Sequence, residues 1–126
     1  MAKSRDSTAH TRALRRDGRH LRGRYVLSES DILTPRRHGS DVVRAWWPIE
    51  RWDVSAGPTY VYPPPDRPYE IPEDALQSAV LDNVLAAGQC LSATPTAAAS
   101  LRAAGICLAT GDAAGRRAAD LAGCRP

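Results

Sequence analysis

The sequence predicts an α/β chain read as one part of a larger α/β fold. A long carboxyl-terminal helix rests on a short remnant of parallel strand, and a β insertion rich in Pro, Tyr and Trp precedes them. Three observations predict this. The apolar run Val84-Leu85-Ala86-Ala87 follows an Asp82-Asn83 turn and stops at Gly88, the pattern of a parallel strand buried on both faces. A Ser/Thr-rich loop, 92–96, then opens a helix of roughly 97–121, with Pro95 suited to its entrance and Gly123 to its exit. Between positions 46 and 72 the chain is crowded with Trp, Tyr and Pro, and proline, lacking an N–H, confines strands there to edges.

In chain order, residues 1–22 have no clean apolar period and read as a basic, disordered tail, leaving 23–126 as the folded part. Arg24 to Leu27 is a short β-like run. Ser28 or Ser30 caps the next turn, Pro35 and Gly39 interrupt it, and Ser40 is expected to cap a second short helix over 41–45. Thr59-Tyr60-Val61-Tyr62 reads as a strand halted by Pro63-Pro64-Pro65, and Tyr69-Glu70-Ile71 as another extended piece. The helix over 97–121 is unusually small on its surface. Gly111 and Gly115 lie four apart on one face, where a backbone, a flat ring or a packed second helix would fit.

At 126 residues the chain suffices for one domain, and 43% apolar content is enough for a core. The net charge of +3 is unevenly placed: Lys3 and seven arginines between Arg5 and Arg24 face only Asp6 and Asp17. This arm reads either as an electrostatic contact for nucleic acid or anionic lipid, or as a solvated leader; no aromatic interleaves the arginines as a stacking reader needs. Cys90, Cys107 and Cys124 form no C-x-x-C pair, so neither a disulfide framework nor a four-cysteine zinc site is encoded, and a reducing cytoplasm fits. His10, His20 and His38 lack ligand spacing, and no metal is assigned. No stretch has the ~20 apolar residues of a membrane span. Arg36-Arg37-His38 reads as a carboxylate clamp or as a solvated turn.

Gly88-Gln89-Cys90 stands at the carboxyl end of the expected strand, where ligands of open α/β sheets bind; a plain turn accounts for the glycine equally well. Here the order of residues resembles a family. Tyr69-Glu70-Ile71-Pro72, Asp82-Asn83-Val84-Leu85, Ala87-Gly88-Gln89-Cys90-Leu91-Ser92-Ala93-Thr94, Ala99-Ser100-Leu101-Arg102 and the run from Cys107 to Gly115 are similar to the carboxyl end of bacterial FAD-dependent oxidoreductases, of the glutathione-reductase-like superfamily. Upstream, the run from Tyr25 to Leu33 and Trp47-Pro48-Ile49-Glu50 also resemble it.

The resemblance implies FAD as cofactor, a small-molecule substrate, and Gly88 and Gln89 lying along the ribityl or pyrophosphate portion of the FAD. It further implies a helix start near Ala99, Ser100 and Leu101 aiming N–H groups at the ring carbonyl. Two departures stand out: Pro95-Thr96 replaces the usual His-Glu, and Gln89 replaces the usual basic residue. The sequence also holds no G-x-G-x-x-G, the loop that normally binds the pyrophosphate. The expectation is a truncated product or half of a split enzyme, incomplete as a catalyst alone, which pairs with a separate dinucleotide-binding half or with itself. The competing expectation is a non-enzymatic binding protein using the basic arm for nucleic acid or an acidic partner.

Overall fold

Tyr69-Glu70-Ile71-Pro72 is buried at all four positions, and the rest of the core gathers around it. The computed structural model describes residues 18–39 and 41–123. The expected tail, 1–22, falls mostly outside them. Of its last residues, Leu21 donates its N–H to the Cys90 carbonyl at 2.7 Å, and the Arg22 carbonyl accepts from Ala79 at 2.9 Å.

Helix α1 (Glu29–Leu33) has Ser28 as its N-cap, one of the two serines that the sequence offered. The Ser28 N–H and hydroxyl both donate to Asp31 Oδ2, at 2.8 and 2.7 Å, and the Tyr25 hydroxyl donates to Oδ1 at 2.7 Å. Burial, the largest single influence, raises the Asp31 carboxyl, but the bonds from Ser28 and Tyr25 and the Arg36 charge together hold it below its ordinary 3.8. A depressed folded-state value means that folding favours the ionised form. The stabilisation is therefore present above pH 3.8 and is lost as pH falls through the lower folded value. Asp31→Asn is expected to cost about 1–3 kcal/mol near neutral pH. Urea unfolding of both proteins checks this: the gap should narrow below pH 3.8, and a gap independent of pH would show that charge plays no part.

Asp41–Ala45 is strand β1, not the short helix expected there. Val43 and Ala45 are buried while Arg44 is exposed, a period of two that a helix cannot supply, and the β-branched pair Val42-Val43 favours extended backbone. Strands β2 (Ile49–Asp53) and β3 (Gly57–Val61) form a hairpin, with Ile49 opposite Val61 and Asp53 opposite Gly57. The Asp53 carboxylate accepts the N–H groups of Ser55 and Ala56 at 2.7 and 2.9 Å, and Gly57 takes the positive φ of +78° that completes the turn. Strand β4 (Tyr69–Pro72) pairs antiparallel with β1, setting Val43 against Ile71 and Ala45 against Tyr69. Both sheets are thus two-stranded and antiparallel.

The parallel strand expected at Val84-Leu85-Ala86-Ala87 is absent. Leu85 makes one antiparallel bridge to Gln77, the Val84 carbonyl accepts the Ser78 N–H, and the Ala86 N–H donates to the Leu76 carbonyl. The reason is the connection: seven residues separate Gln77 from Leu85, whereas a parallel pair needs a crossover of about a dozen or more. The one parallel contact among the described residues is the isolated bridge from Leu27 to Ala93.

The expected long helix is two. Helix α2 (Pro95–Leu101) has Thr94 as N-cap and Pro95 in its first turn; α3 (Ala104–Leu121) follows an extended Ala103. Each half has its own support, α2 against β2, and α3 against β1 and the Gly88–Cys90 turn. Ile106, Thr110 and Ala113 form the buried stripe of α3, and Gly123 ends it at φ +72°. A Cβ on Gly111 or Gly115 would meet nothing within 4 Å, so no described backbone approaches that face. Among the described residues no helix is long and apolar enough to cross a membrane.

Candidate functional site

Alternation along β2 puts Glu50 and Trp52 on the same face of the strand. Helix α2 packs against that strand and brings Arg102, just past its end, to Glu50: Nη2 to Oε2 is 2.9 Å. The indole N–H of Trp52 donates to Oε1 at 2.8 Å, and the Tyr60 hydroxyl reaches the same oxygen at 3.5 Å. Desolvation, the largest single influence, pushes the Glu50 carboxyl up; the Trp52 bond, Arg102 and Tyr60 together outweigh it and hold the group below the ordinary glutamate value. Glu50 is therefore an ionised anchor that fixes the Arg102 guanidinium.

Beside this pair opens a cleft of about 520 Å³. Ala98 and Ala99 of α2 line it with Pro95, Gln89 and Arg102, and Trp52, Glu50, His20 and Gly18 complete the lining. That size lies within the ordinary range of small-molecule sites. The two alanines present a low surface on which a flat group can lie, the indole an aromatic one, and Gln89 and Arg102 supply hydrogen-bond donors.

Of the five residues singled out in the sequence, the structure brings Gln89 and Ala99 together in this cleft. The other three are committed elsewhere. Gly88 has φ +59° and donates its N–H to Thr110 Oγ1 at 2.9 Å, while an added Cβ would stand 3.2 Å from Cys107 Sγ. Its missing side chain makes room for α3. Ser100 is fully buried, donating to the Trp47 carbonyl at 2.6 Å and bonded to the Tyr69 hydroxyl at 2.7 Å, and Leu101 lies in the core.

The expected helix start near Ala99 is corrected, because residues 99–101 form the last turn of α2. The helix is interrupted just beyond them, and the N–H groups that begin α3 at Ala104 receive no side-chain cap.

Sequence reading missed His20, Glu50, Trp52 and Arg102 as partners in one cleft. Their one local signal is the spacing of Glu50 and Trp52 on a single strand; His20 and Arg102 meet them only through folding. The His20 ring bonds through Nδ1 to the Leu91 carbonyl at 3.3 Å, which leaves Nε2 as its other polar atom. Of the residues that the resemblance marks as departures, Gln89 and Pro95 line the cleft and Thr96 does not.

No curated protein and no solved structure matches the chain. The family model for FAD dependent oxidoreductase matches residues 8–122, a span containing every residue that lines the cleft, and the chain therefore belongs to the FAD-dependent oxidoreductase family.

Proposed function

We propose that this chain is the flavin-facing, carboxyl-terminal portion of an FAD-dependent oxidoreductase, and that the cleft between β2 and α2 receives the ring end of the cofactor. FAD is the cofactor of the family. One observation carries the reading: Gln89 and Ala99, ten positions apart and on separate elements, line one cleft of small-molecule size. When bound, FAD supplies hydride or electron transfer at its ring.

The chain's own residues do the rest. Ala98 and Ala99 leave room for a planar group, Trp52 offers an aromatic face, and the Gln89 amide can bond a ring edge. Arg102, held by Glu50, favours negative charge nearby. His20, with Nδ1 taken by the Leu91 carbonyl, adds an imidazole to the lining.

The fit covers only the ring end. No G-x-G-x-x-G is present, so we assign the pyrophosphate and adenine contacts to a separate polypeptide segment, a dinucleotide-binding half. The chain alone is then incomplete as a catalyst. Free Cys90 and Cys107 suit a reducing compartment such as the cytoplasm.

Titrating the full chain with FAD and with riboflavin, read by flavin fluorescence and equilibrium dialysis, tests this. If only the ring is held, the two should bind weakly and within about threefold of each other, because the adenylate half adds no contacts. Ala99→Trp, which fills the cleft, should weaken both by about tenfold or more. FAD binding ~100-fold tighter than riboflavin would mean that this chain holds the pyrophosphate after all, about 2.7 kcal/mol of extra contact. Unchanged binding in Ala99→Trp would move the ring out of this cleft.

A further inference from the structure

A second recess, sharing no lining residue with the cleft, lies where the loop after α1 meets the approach to β4. Its volume is about 160 Å³, and Pro35, Arg36, Arg37, Arg67, Pro68 and Glu70 line it. We propose that this recess is a binding site for a small oxyanion, a phosphate or carboxylate group, gripped by the guanidiniums of Arg37 and Arg67 with Arg36 beside them. The inference does not depend on the flavin reading.

Charge and hydrogen-bond capacity carry the argument. The one carboxylate in the wall, Glu70, is already engaged: its side chain is 4% exposed, Oε2 accepts the His38 N–H at 2.8 Å, and Oε1 lies 3.3 Å from Arg37 and 3.7 Å from Arg44. Arg36 is partly neutralised by Asp31 at 3.3 Å, donates to the Tyr25 hydroxyl and sits over the Tyr25 ring.

Arg37 and Arg67 are far less committed. Among the described residues Arg37 makes one side-chain bond, the 3.3 Å contact to Glu70, and the nearest anion to Arg67 is its neighbour Asp66 at 3.6 Å, beyond hydrogen-bond range. A guanidinium offers five N–H donors in a planar fork matched to carboxylate and phosphate oxygens, so most of the donors of these two arginines have no acceptor among the described residues.

The convergence is tertiary. Arg36-Arg37 and Arg67 are thirty positions apart in the chain, yet line one recess, and each pairing is flanked by a proline whose fixed φ restrains the backbone that carries it. Three cations around one small volume repel each other, and an anion placed among them relieves that repulsion. The volume admits a single anionic group and is too small for a nucleotide, whose sites run to several hundred Å³ or more.

The side chains are substantially exposed, at 62% for Arg36, 82% for Arg37 and 62% for Arg67, so solvent weakens the attraction and millimolar affinity is expected. The full chain is titrated with sodium phosphate, with sodium succinate, and with sodium chloride at matched ionic strength, while the arginine Nε–H resonances are followed by NMR. Saturable shifts of Arg37 and Arg67 with phosphate or succinate, but not chloride, are the expected result. The tighter of the two identifies the group as phosphate or carboxylate.

Arg67→Ala should weaken binding by about fivefold, and Arg67→Lys, which keeps the charge but loses the fork, by less. Arg67 meets only exposed Asp66, so neither variant threatens the fold. Equal shifts with chloride, or an Arg67→Ala variant that saturates like the parent, would overturn the proposal.

Discussion

Gly88→Val should lower the thermal midpoint by about 15 °C or more, the largest single-residue effect expected here, at roughly 4–8 °C per kcal/mol for a domain of this size. Two costs combine. The residue holds φ +59°, a left-handed conformation that costs a non-glycine residue roughly 1–2 kcal/mol and a β-branched one more. A side chain there also begins 3.2 Å from Cys107 Sγ and 3.4 Å from its Cβ, against a helix that cannot retreat without breaking the Gly88 N–H bond to Thr110.

The two costs separate in a simpler pair. Gly88→Ala should cost about 2–3 kcal/mol in the parent, but only the conformational part, about 1–2 kcal/mol, when Cys107→Ala removes the sulfur. Urea unfolding of the four proteins measures both. A Gly88→Val protein that unfolds like the parent and loses only flavin affinity would return Gly88 to the cofactor-facing role that the resemblance implied.

Ser100→Ala is expected to cost about 2–4 kcal/mol, because one hydroxyl satisfies two buried partners. Ser100 Oγ donates to the Trp47 carbonyl, so the bond it shares with Tyr69 must run from the phenol to the serine: Tyr69 O–H to Ser100 Oγ to Trp47 O=C. Removing the serine strands both ends. Tyr69→Phe removes only the first donor and should cost about 1 kcal/mol, with a double-mutant cycle showing strong coupling between the sites. Additive losses would mean that the relay does not act as a unit.

Burial pushes the Tyr69 phenol up to about 12. With the folded-state value raised above the ordinary 10.0, folding favours the neutral phenol. Its contribution is whole below pH 10.0 and is lost as pH rises from there through about 12. Tyr69→Phe should remove that alkaline sensitivity. A Tyr69 phenol titrating at its ordinary value in the folded chain would contradict the burial argument.

Features set by chemistry within a few residues were readable in advance. Ser28 caps α1 because its backbone bonds reach only three positions ahead, Pro95 enters α2 because its fixed φ suits a first turn, and Gly123 ends α3 because a left-handed residue needs no Cβ. The edge strand before Pro63 was legible for the same kind of reason. The errors fall where distant partners decide. Residues 41–45 became a strand because Tyr69-Glu70-Ile71-Pro72 offers a buried edge to pair with, and Val84 to Ala87 lost its strand because its short connection to Gln77 allows only antiparallel contact.

The sequence by itself determined the FAD oxidoreductase reading, which needs only the order of residues, and the roles of Pro95 at a helix entrance and Gly123 at a helix exit, which depend on neighbours in the chain. Which side chains meet was decided by tertiary structure alone. Gln89 and Ala99 share a cleft with His20, Glu50, Trp52 and Arg102, while Gly88, Ser100 and Leu101 turn to the core. The physical reason is that a helix or strand exposes some of its residues and buries the rest, and the choice rests on what packs against it. For α2 that neighbour is β2, some fifty positions away, and no local pattern announces it.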